Sequence, residues 1–77
     1  MTAKLPSIKA SEVIRALERA GLVVVRISGS HHRLIHPGDP TRQTTVPLHQ
    51  GRDLGKPVLR AIIKQAGLTV DEFVALL

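Results

Sequence analysis

The sequence contains no cysteine, tryptophan or tyrosine, and a single phenylalanine, Phe73. Without cysteine, the chain has neither a disulfide framework nor a zinc site built on thiolates. With one aromatic side chain, it also lacks the row of rings on which single-stranded nucleic acids stack. Disulfide-rich secreted scaffolds, cysteine zinc fingers and stacking platforms are therefore excluded.

Long apolar runs are missing as well. No aliphatic run exceeds four residues, as in Leu22–Val25, which is far too short to span a bilayer. The stretch Met1–Pro6 lacks the apolar core of a signal peptide, so we expect a cytoplasmic protein. The 77 residues leave room for one domain, and we assign residues 1–77 to it. A core of this size rarely supplies more than about 3–5 kcal/mol, so a protein partner could support the fold.

Acidic residues are scarce in the middle of the chain. Residues 26–67 contain two of them against seven basic residues, so this segment accounts for the whole net charge of +5. A basic segment favours a phosphate-rich partner, although a solvated cationic surface is the alternative. Three of its cations stand four residues apart in a predicted helix and so lie along one side of it. We call Lys56, Arg60 and Lys64 the basic row, which can follow a phosphate backbone or serve as a solubilising face.

Apolar spacing in the first two thirds of the chain predicts one helix and three strands. The helix covers residues 10–20, where apolar side chains recur at helical spacing. Strands are predicted over residues 22–28, 31–36 and 43–48, with a dense turn signal over residues 37–41. Strict alternation in the first strand places on one face Val23, Val25 and Ile27, and on the other Leu22, Val24 and Arg26.

A second helix opens at Pro57 and ends at Gly67. Its buried face is predicted to contain Val58, Leu59, Ile62, Ile63 and Ala66. Thr69 and Glu72 form a capping box that begins a short terminal helix. The order predicts an α+β fold, α-β-β-β-α, with helices on one face of a three-stranded antiparallel sheet. This is the topology of the double-stranded-RNA-binding domain, which recognises the shape of RNA.

The stretch that bears the chemistry is Gly29–Arg33, at the turn between the first two strands. Histidine can both accept and donate a proton near neutral pH. Counting by two from Leu34, taken as buried, turns His32 inward and His31 outward together with Arg33. Two strand-end histidines without any chemistry are the alternative.

Other kinds of catalytic site find little support. The four histidines, His31, His32, His36 and His49, could bind a metal, but no thiolate or HExxH pairing accompanies them. Neighbouring arginines would also repel a cation, so we expect no metal and no cofactor. Ser30 lacks the strand-turn-helix elbow of a nucleophile, and the basic segment has no carboxylate pair and no glycine-rich phosphate loop.

Four segments, in this order, resemble the HicA (YcfA-like) family of bacterial toxins: Gly29–His32, His36–Pro37, Thr45–His49 and Leu59–Leu68. The resemblance runs from about residue 10 to the end of the chain. It implies a small, ribosome-independent mRNA interferase with a fold like that of the double-stranded-RNA-binding domain. It also implies two partners, the mRNA substrate and a HicB antitoxin. From the short apolar runs we expect no membrane partner.

The resemblance also implies the site. The family's functional histidine lies in the Gly-Ser-His motif, which here points to His31, with His32 as the second choice. RNA can be cut without metal when its own 2′-hydroxyl is the nucleophile, and a histidine then assists as acid or base. Arg33 is expected to stabilise charge at phosphorus, and the basic row to hold the RNA. An antitoxin would cover the histidine turn. The alternative is a non-catalytic RNA-binding module of the same fold.

Overall fold

The computed structural model describes residues 5–77, in which the chain folds as α-β-β-β-α with a short helix at the end. Residues 1–4, part of the stretch screened for a signal peptide, lie outside the described residues. The predicted order of elements and the α+β class are confirmed. The elements are α1 (Ala10–Arg19), β1 (Val23–Ser28), β2 (His31–His36), β3 (Asp39–Pro47), α2 (Lys56–Gln65) and α3 (Val70–Ala75).

The strands form one antiparallel sheet in the order β1-β2-β3, with β2 in the centre. On one face, here called the covered face, α1 and α2 pack against strand residues such as Leu34 and Val46, which are fully buried. No element within residues 5–77 covers the other face, here called the open face, where His31 and Arg33 are exposed. The helices therefore lie on one side of the sheet, as predicted.

The sheet is fastened to α2 by polar contacts as well as by apolar ones. Thr44 of β3 pairs with Leu34 and is itself buried. Its hydroxyl donates to Oε1 of Gln65, the last residue of α2, at 2.7 Å. Burying this hydroxyl costs little because it has a partner, so the position of α2 over β3 is well defined.

β1 contains a β-bulge that the sequence pattern did not predict. Val24 pairs with Leu34, but Arg26 pairs with Arg33, so Val25 is an extra residue without a partner in the ladder. A β-bulge of this kind leaves two residues of one strand opposite one residue of its neighbour and changes which way the following side chains point.

The bulge reverses the side-chain directions in the second half of β1. Arg26 lies on the open face beside Arg33, and Ile27 pairs with His32 on the covered face. The predicted alternation puts Ile27 on the same face as Val23, and Arg26 on the same face as Val24. This prediction is wrong for the residues after Val24. The period of two holds only where the ladder is unbroken.

β3 begins four residues earlier than predicted, at Asp39. Of the turn predicted over residues 37–41, only Pro37–Gly38 form the turn itself. The ladder shifts register at His36, which leaves extra residues looped out at the start of β3. The side-chain hydroxyl and the backbone N–H of Thr41 donate to the carboxylate of Asp39, and these hydrogen bonds lower the pKa of Asp39.

α2 begins at Lys56 with Pro57 in its first turn, close to the predicted start. Leu59, Ile62, Ile63 and Ala66 are buried as predicted, but Val58 is 47% exposed. The four buried residues follow the spacing i, i+3, i+4, i+7, and Val58 lies about 90° from the centre of that stripe, given 3.6 residues per turn. The prediction for Val58 is therefore wrong because it took a flanking position for a buried one.

The end of α2 is capped by an arginine from the sheet. Nε of Arg42 donates to the carbonyl oxygen of Ala66 at 2.8 Å. Gly67 follows with φ of +76°, and a Cβ built there would lie 2.7 Å from the same Nε atom. Arg42 belongs to the basic segment of the sequence, but here it satisfies a carbonyl group at the end of a helix.

The chain ends in an ordered helix, as predicted. The Thr69 side chain accepts from the N–H of Glu72, and the Glu72 side chain accepts from the N–H of Thr69, which completes the capping box. Phe73 is fully buried, and Arg19 of α1 donates to the carbonyl oxygen of Leu76 at 2.6 Å. α3 is thus part of the folded unit.

Replacing Leu34 by alanine tests how far the sheet depends on its central side chain. Leu34 has no exposed surface, so Leu34→Ala should lower the free energy of unfolding by about 2–5 kcal/mol, measured by urea denaturation. The matched variant Ile35→Ala removes a half-buried side chain from the open face and should cost clearly less. Equal losses would contradict the assignment of the two faces.

Replacing Thr69 by alanine tests the capping box. Loss of the cap should cost about 1 kcal/mol. In the folded chain, the hydrogen bonds from the backbone N–H and the side chain of Thr69 lower the pKa of Glu72. A lowered pKa stabilises the fold above about pH 4.3, the usual value for glutamate, and the contribution is lost as the pH falls through the folded-state pKa. An NMR titration should show the pKa of Glu72 rising in Thr69→Ala; an unmoved pKa would rule out this coupling.

Candidate functional site

The turn between β1 and β2 consists of Gly29 and Ser30, which connect the paired residues Ser28 and His31. Gly29 has φ of +58°, and no atom lies within 4 Å of the position that a Cβ would take. Glycine is needed here for the direction of the backbone and not for space. A two-residue hairpin loop with glycine first is typical of a type II′ turn. The turn makes His31 the first residue of β2.

The carbonyl oxygen of Ser30 holds this turn from two sides. It accepts the backbone N–H of Leu48, just after β3, at 2.6 Å. Nδ1 of His32 lies 3.3 Å from the same oxygen. Since a carbonyl oxygen only accepts, the tautomer of His32 with its proton on Nδ1 makes this hydrogen bond. The turn is thereby attached to the end of β3 and to its own strand.

The two adjacent histidines point to opposite faces of the sheet. His31 is exposed on the open face, where it pairs with Pro47. His32 is half-buried on the covered face, between Ile27 and Val46. These are the orientations predicted by counting from Leu34. A ligand that approaches the open face meets the ring of His31 and not the ring of His32.

Two arginines lie directly opposite each other on the open face. Arg26 pairs with Arg33 across β1 and β2, and both are exposed. Like charges at opposed positions destabilise a sheet unless an anion lies near them. Arg33 donates to Oε1 of Gln43, which pairs with Ile35 and so lies farther along β2 from His31. Arg33 is therefore directed away from the turn.

Arg26 is the functional candidate that sequence reasoning missed. A strict alternation places it on the covered face, and only the bulge at Val25 turns it to the open face beside Arg33. Within residues 5–77 its guanidinium has no hydrogen-bond partner. The feature of the sequence that indicates a role for Arg26 is the predicted hairpin, because a turn at Gly29 brings the basic residues of both strands opposite each other.

The basic row does not share a surface with His31. Lys56, Arg60 and Lys64 are all exposed along α2, which packs on the covered face. His31 and Arg33 lie on the open face, so the sheet separates them from the row. The structure thus places the predicted site residues in two groups.

The two groups approach each other at one end of the sheet. Leu54, just before α2, donates its N–H to the carbonyl oxygen of Ile8, just before α1, at 3.0 Å. Both long helices therefore begin side by side. The first residues of α1 share a groove with Leu48, whose N–H is bonded to Ser30. Lys56 thus lies at the same end of the molecule as the histidine turn, and the row extends away from it over about 12 Å at 1.5 Å per residue.

That groove lies between the start of α1 and the loop that follows β3, and we call it the α1–β3 groove. Its volume is about 430 Å³. Its basic and titratable lining residues are Lys9, His49 and Arg52, and none of the described residues that line it carries a carboxylate. Sequence reasoning considered His49 only as a metal ligand and gave the other two no role at a site.

Residues 5–77 bring together no group of three or more histidine, cysteine, aspartate or glutamate side chains that could hold a metal ion. None of their helices combines the length and the apolar character that crossing a membrane requires.

The comparison with family models identifies the chain. Residues 10–68 match the family described as HicA toxin of bacterial toxin-antitoxin. The match includes the histidine turn, the whole sheet and α2, and it confirms the resemblance found in the four sequence segments. No curated protein matches the chain. The protein therefore belongs to the HicA family of toxins from bacterial toxin–antitoxin systems.

Proposed function

We propose that the protein is an mRNA interferase, an endoribonuclease that cuts mRNA without a metal and uses His31 as its catalytic acid or base. Membership of the HicA toxin family supports a toxin of this general kind. The observation that carries the assignment of the site is the open face of the sheet. There an exposed histidine lies near two opposed arginines, and none of the residues paired across that face is acidic.

The reaction needs no group beyond the RNA itself and proton carriers. The 2′-oxygen attacks the adjacent phosphorus, and the bond from phosphorus to the 5′-oxygen of the next nucleotide breaks. A base removes the proton from the 2′-hydroxyl, and an acid supplies one to the departing 5′-oxygen. The products end in a 2′,3′-cyclic phosphate and a 5′-hydroxyl. A histidine that performs one of these proton transfers contributes about 10²–10⁴-fold in rate.

The arginines of the open face are suited to the charge that develops on phosphorus. A phosphate placed between Arg26 and Arg33 would relieve their mutual repulsion and could accept hydrogen bonds from both guanidinium groups. Arg33 would exchange its hydrogen bond with Gln43 for one with the phosphate. Arg26, which has no such partner in residues 5–77, is available without that exchange.

The basic row is proposed to bind RNA away from the point of cleavage. Because α2 lies on the covered face, its cations and His31 are on opposite sides of the sheet. They can contact RNA that continues around the end of the sheet at which Lys56 lies. Contacts of this kind contribute affinity that is independent of sequence and sensitive to salt.

An active endoribonuclease must be silenced in the cell that makes it. We propose a HicB-type antitoxin as the protein partner, since the family belongs to toxin–antitoxin systems. The surface that it would have to cover is the open face around His31, which no element within residues 5–77 protects. Covering that face would block the entry of RNA without any change in the toxin's fold.

Replacing His31 by alanine tests the catalytic assignment. His31→Ala should keep the fold and the affinity for RNA, and should reduce cleavage of purified RNA in the presence of a chelator by about 10²–10⁴-fold. The comparison variant is His32→Ala, which retains the exposed ring of His31 and should retain measurable cleavage. A normal rate in His31→Ala, or the reverse pattern in the two variants, would show that the assignment is wrong. Binding without cleavage by the unmodified chain would favour the non-catalytic RNA-binding module.

Replacing Arg60 by glutamine tests the basic row. In the His31→Ala background, Arg60→Gln should reduce the slope of log affinity against log salt concentration by about 0.7–0.9, the value for one lost phosphate contact. Arg15→Gln removes an equally exposed arginine from α1 and serves as the control. An unchanged slope for Arg60→Gln would mean that the row is a solubilising face.

A further inference from the structure

We infer that the α1–β3 groove binds a backbone phosphate of the RNA strand, next to the nucleotide that is cut beside His31. This inference rests on the proposed endoribonuclease function and adds a second binding position to it. The position lies outside the open face and outside the basic row.

The charge of the groove supports a phosphate as its ligand. Lys9, His49 and Arg52 line it, all three are exposed, and among residues 5–77 no carboxylate lines the groove. Within residues 5–77, none of the three side chains has a salt-bridge or hydrogen-bond partner. A concave surface lined by one sign of charge concentrates the field more than a flat surface does. Three unpaired basic or titratable groups around one groove therefore favour an anion.

The location of the groove supports the RNA backbone as the source of that phosphate. Pro47 pairs with His31, and the next residue, Leu48, lines the groove and donates its N–H to Ser30. One wall of the groove is thus the direct continuation of the strand that lies beside His31. An RNA strand held at the histidine turn can therefore continue along this wall into the groove.

The loop that forms this wall has a defined conformation. The N–H of Arg52 donates to the carbonyl oxygen of His49 at 3.0 Å, which closes a turn between two residues that line the groove. Lys9 faces them from the segment before α1, where its backbone forms an isolated β-bridge with Asp53. The backbone at all three residues is therefore held by hydrogen bonds or bridges within the chain, and their side chains extend from it at the groove.

Salt-dependent binding of a short single-stranded RNA to the full-length His31→Ala protein tests the inference. Arg52→Gln should reduce the slope of log affinity against log salt concentration by about 0.7, and the double variant Lys9→Gln with Arg52→Gln by about 1.4. Arg52→Lys keeps the charge and should keep the slope. Arg15→Gln, on the exposed side of α1, is the control and should leave it unchanged. Far-UV circular dichroism verifies that each variant is folded.

An unchanged slope in a folded double variant would overturn the inference, and so would an equal loss in Arg15→Gln, which would indicate only a diffuse effect of charge. The outcome is independent of the test of the proposed function. If the unmodified chain cuts RNA but the slope is unchanged in the groove variants, the groove does not bind phosphate and the proposed nuclease activity is supported. If the slope falls in the groove variants but the unmodified chain does not cut RNA, the groove is supported as an RNA-binding site and the proposed nuclease activity is wrong.

Discussion

The burial of Leu34 at the centre of the sheet is the constraint on which the arrangement depends. Side chains alternate along β2, so a leucine with no exposed surface on the covered face requires its neighbours to face the other way. A slip of one residue would expose Leu34 and turn Arg33 into the apolar core, where an unpaired charge is costly. The same pairing register of β2 therefore buries Leu34 in the core and exposes His31 on the open face.

The second organising contact is the carbonyl group of Ser30. Through Leu48 it joins the histidine turn to the end of β3, and through the loop after β3 it brings the turn close to the starts of both helices. The sheet otherwise separates the open face from the basic row. A substrate that uses both surfaces has its shortest path around this end of the molecule, where the histidine turn, the α1–β3 groove and Lys56 lie.

Much of this architecture follows from local patterns in the sequence. Glycines and prolines mark the turns, helical spacing marks α1 and α2, and the capping box at Thr69 marks α3. The orientation of His31 follows from one assumption, that Leu34 is buried. The bulge at Val25 could not be predicted, because a run of valines has the same alternation with or without an extra residue.

The roles of individual cations depend on contacts between distant parts of the chain. Arg42 was counted with the basic segment, but its partner is the carbonyl oxygen of Ala66, 24 residues away. The α1–β3 groove combines residues at the start of α1 with a loop about 40 residues later, so no local pattern contains it. Arg26 acquires its position from the bulge. A net charge therefore indicates the class of partner, while the fold decides which charges are free to meet it.

The bulge in β1 has one more consequence. β1 is an outer strand, and three of its four apolar side chains are half or more exposed: Val23 by 50%, Val25 by 54% and Ile27 by 61%. A straight, apolar outer strand is a template on which another chain can add its own strand, and so begin an aggregate. Here the spare residue at Val25 interrupts the regular spacing of amide groups, and the next residue carries a guanidinium. This edge of the sheet is thus a poorer template for a strand from a second chain than an unbroken strand would be.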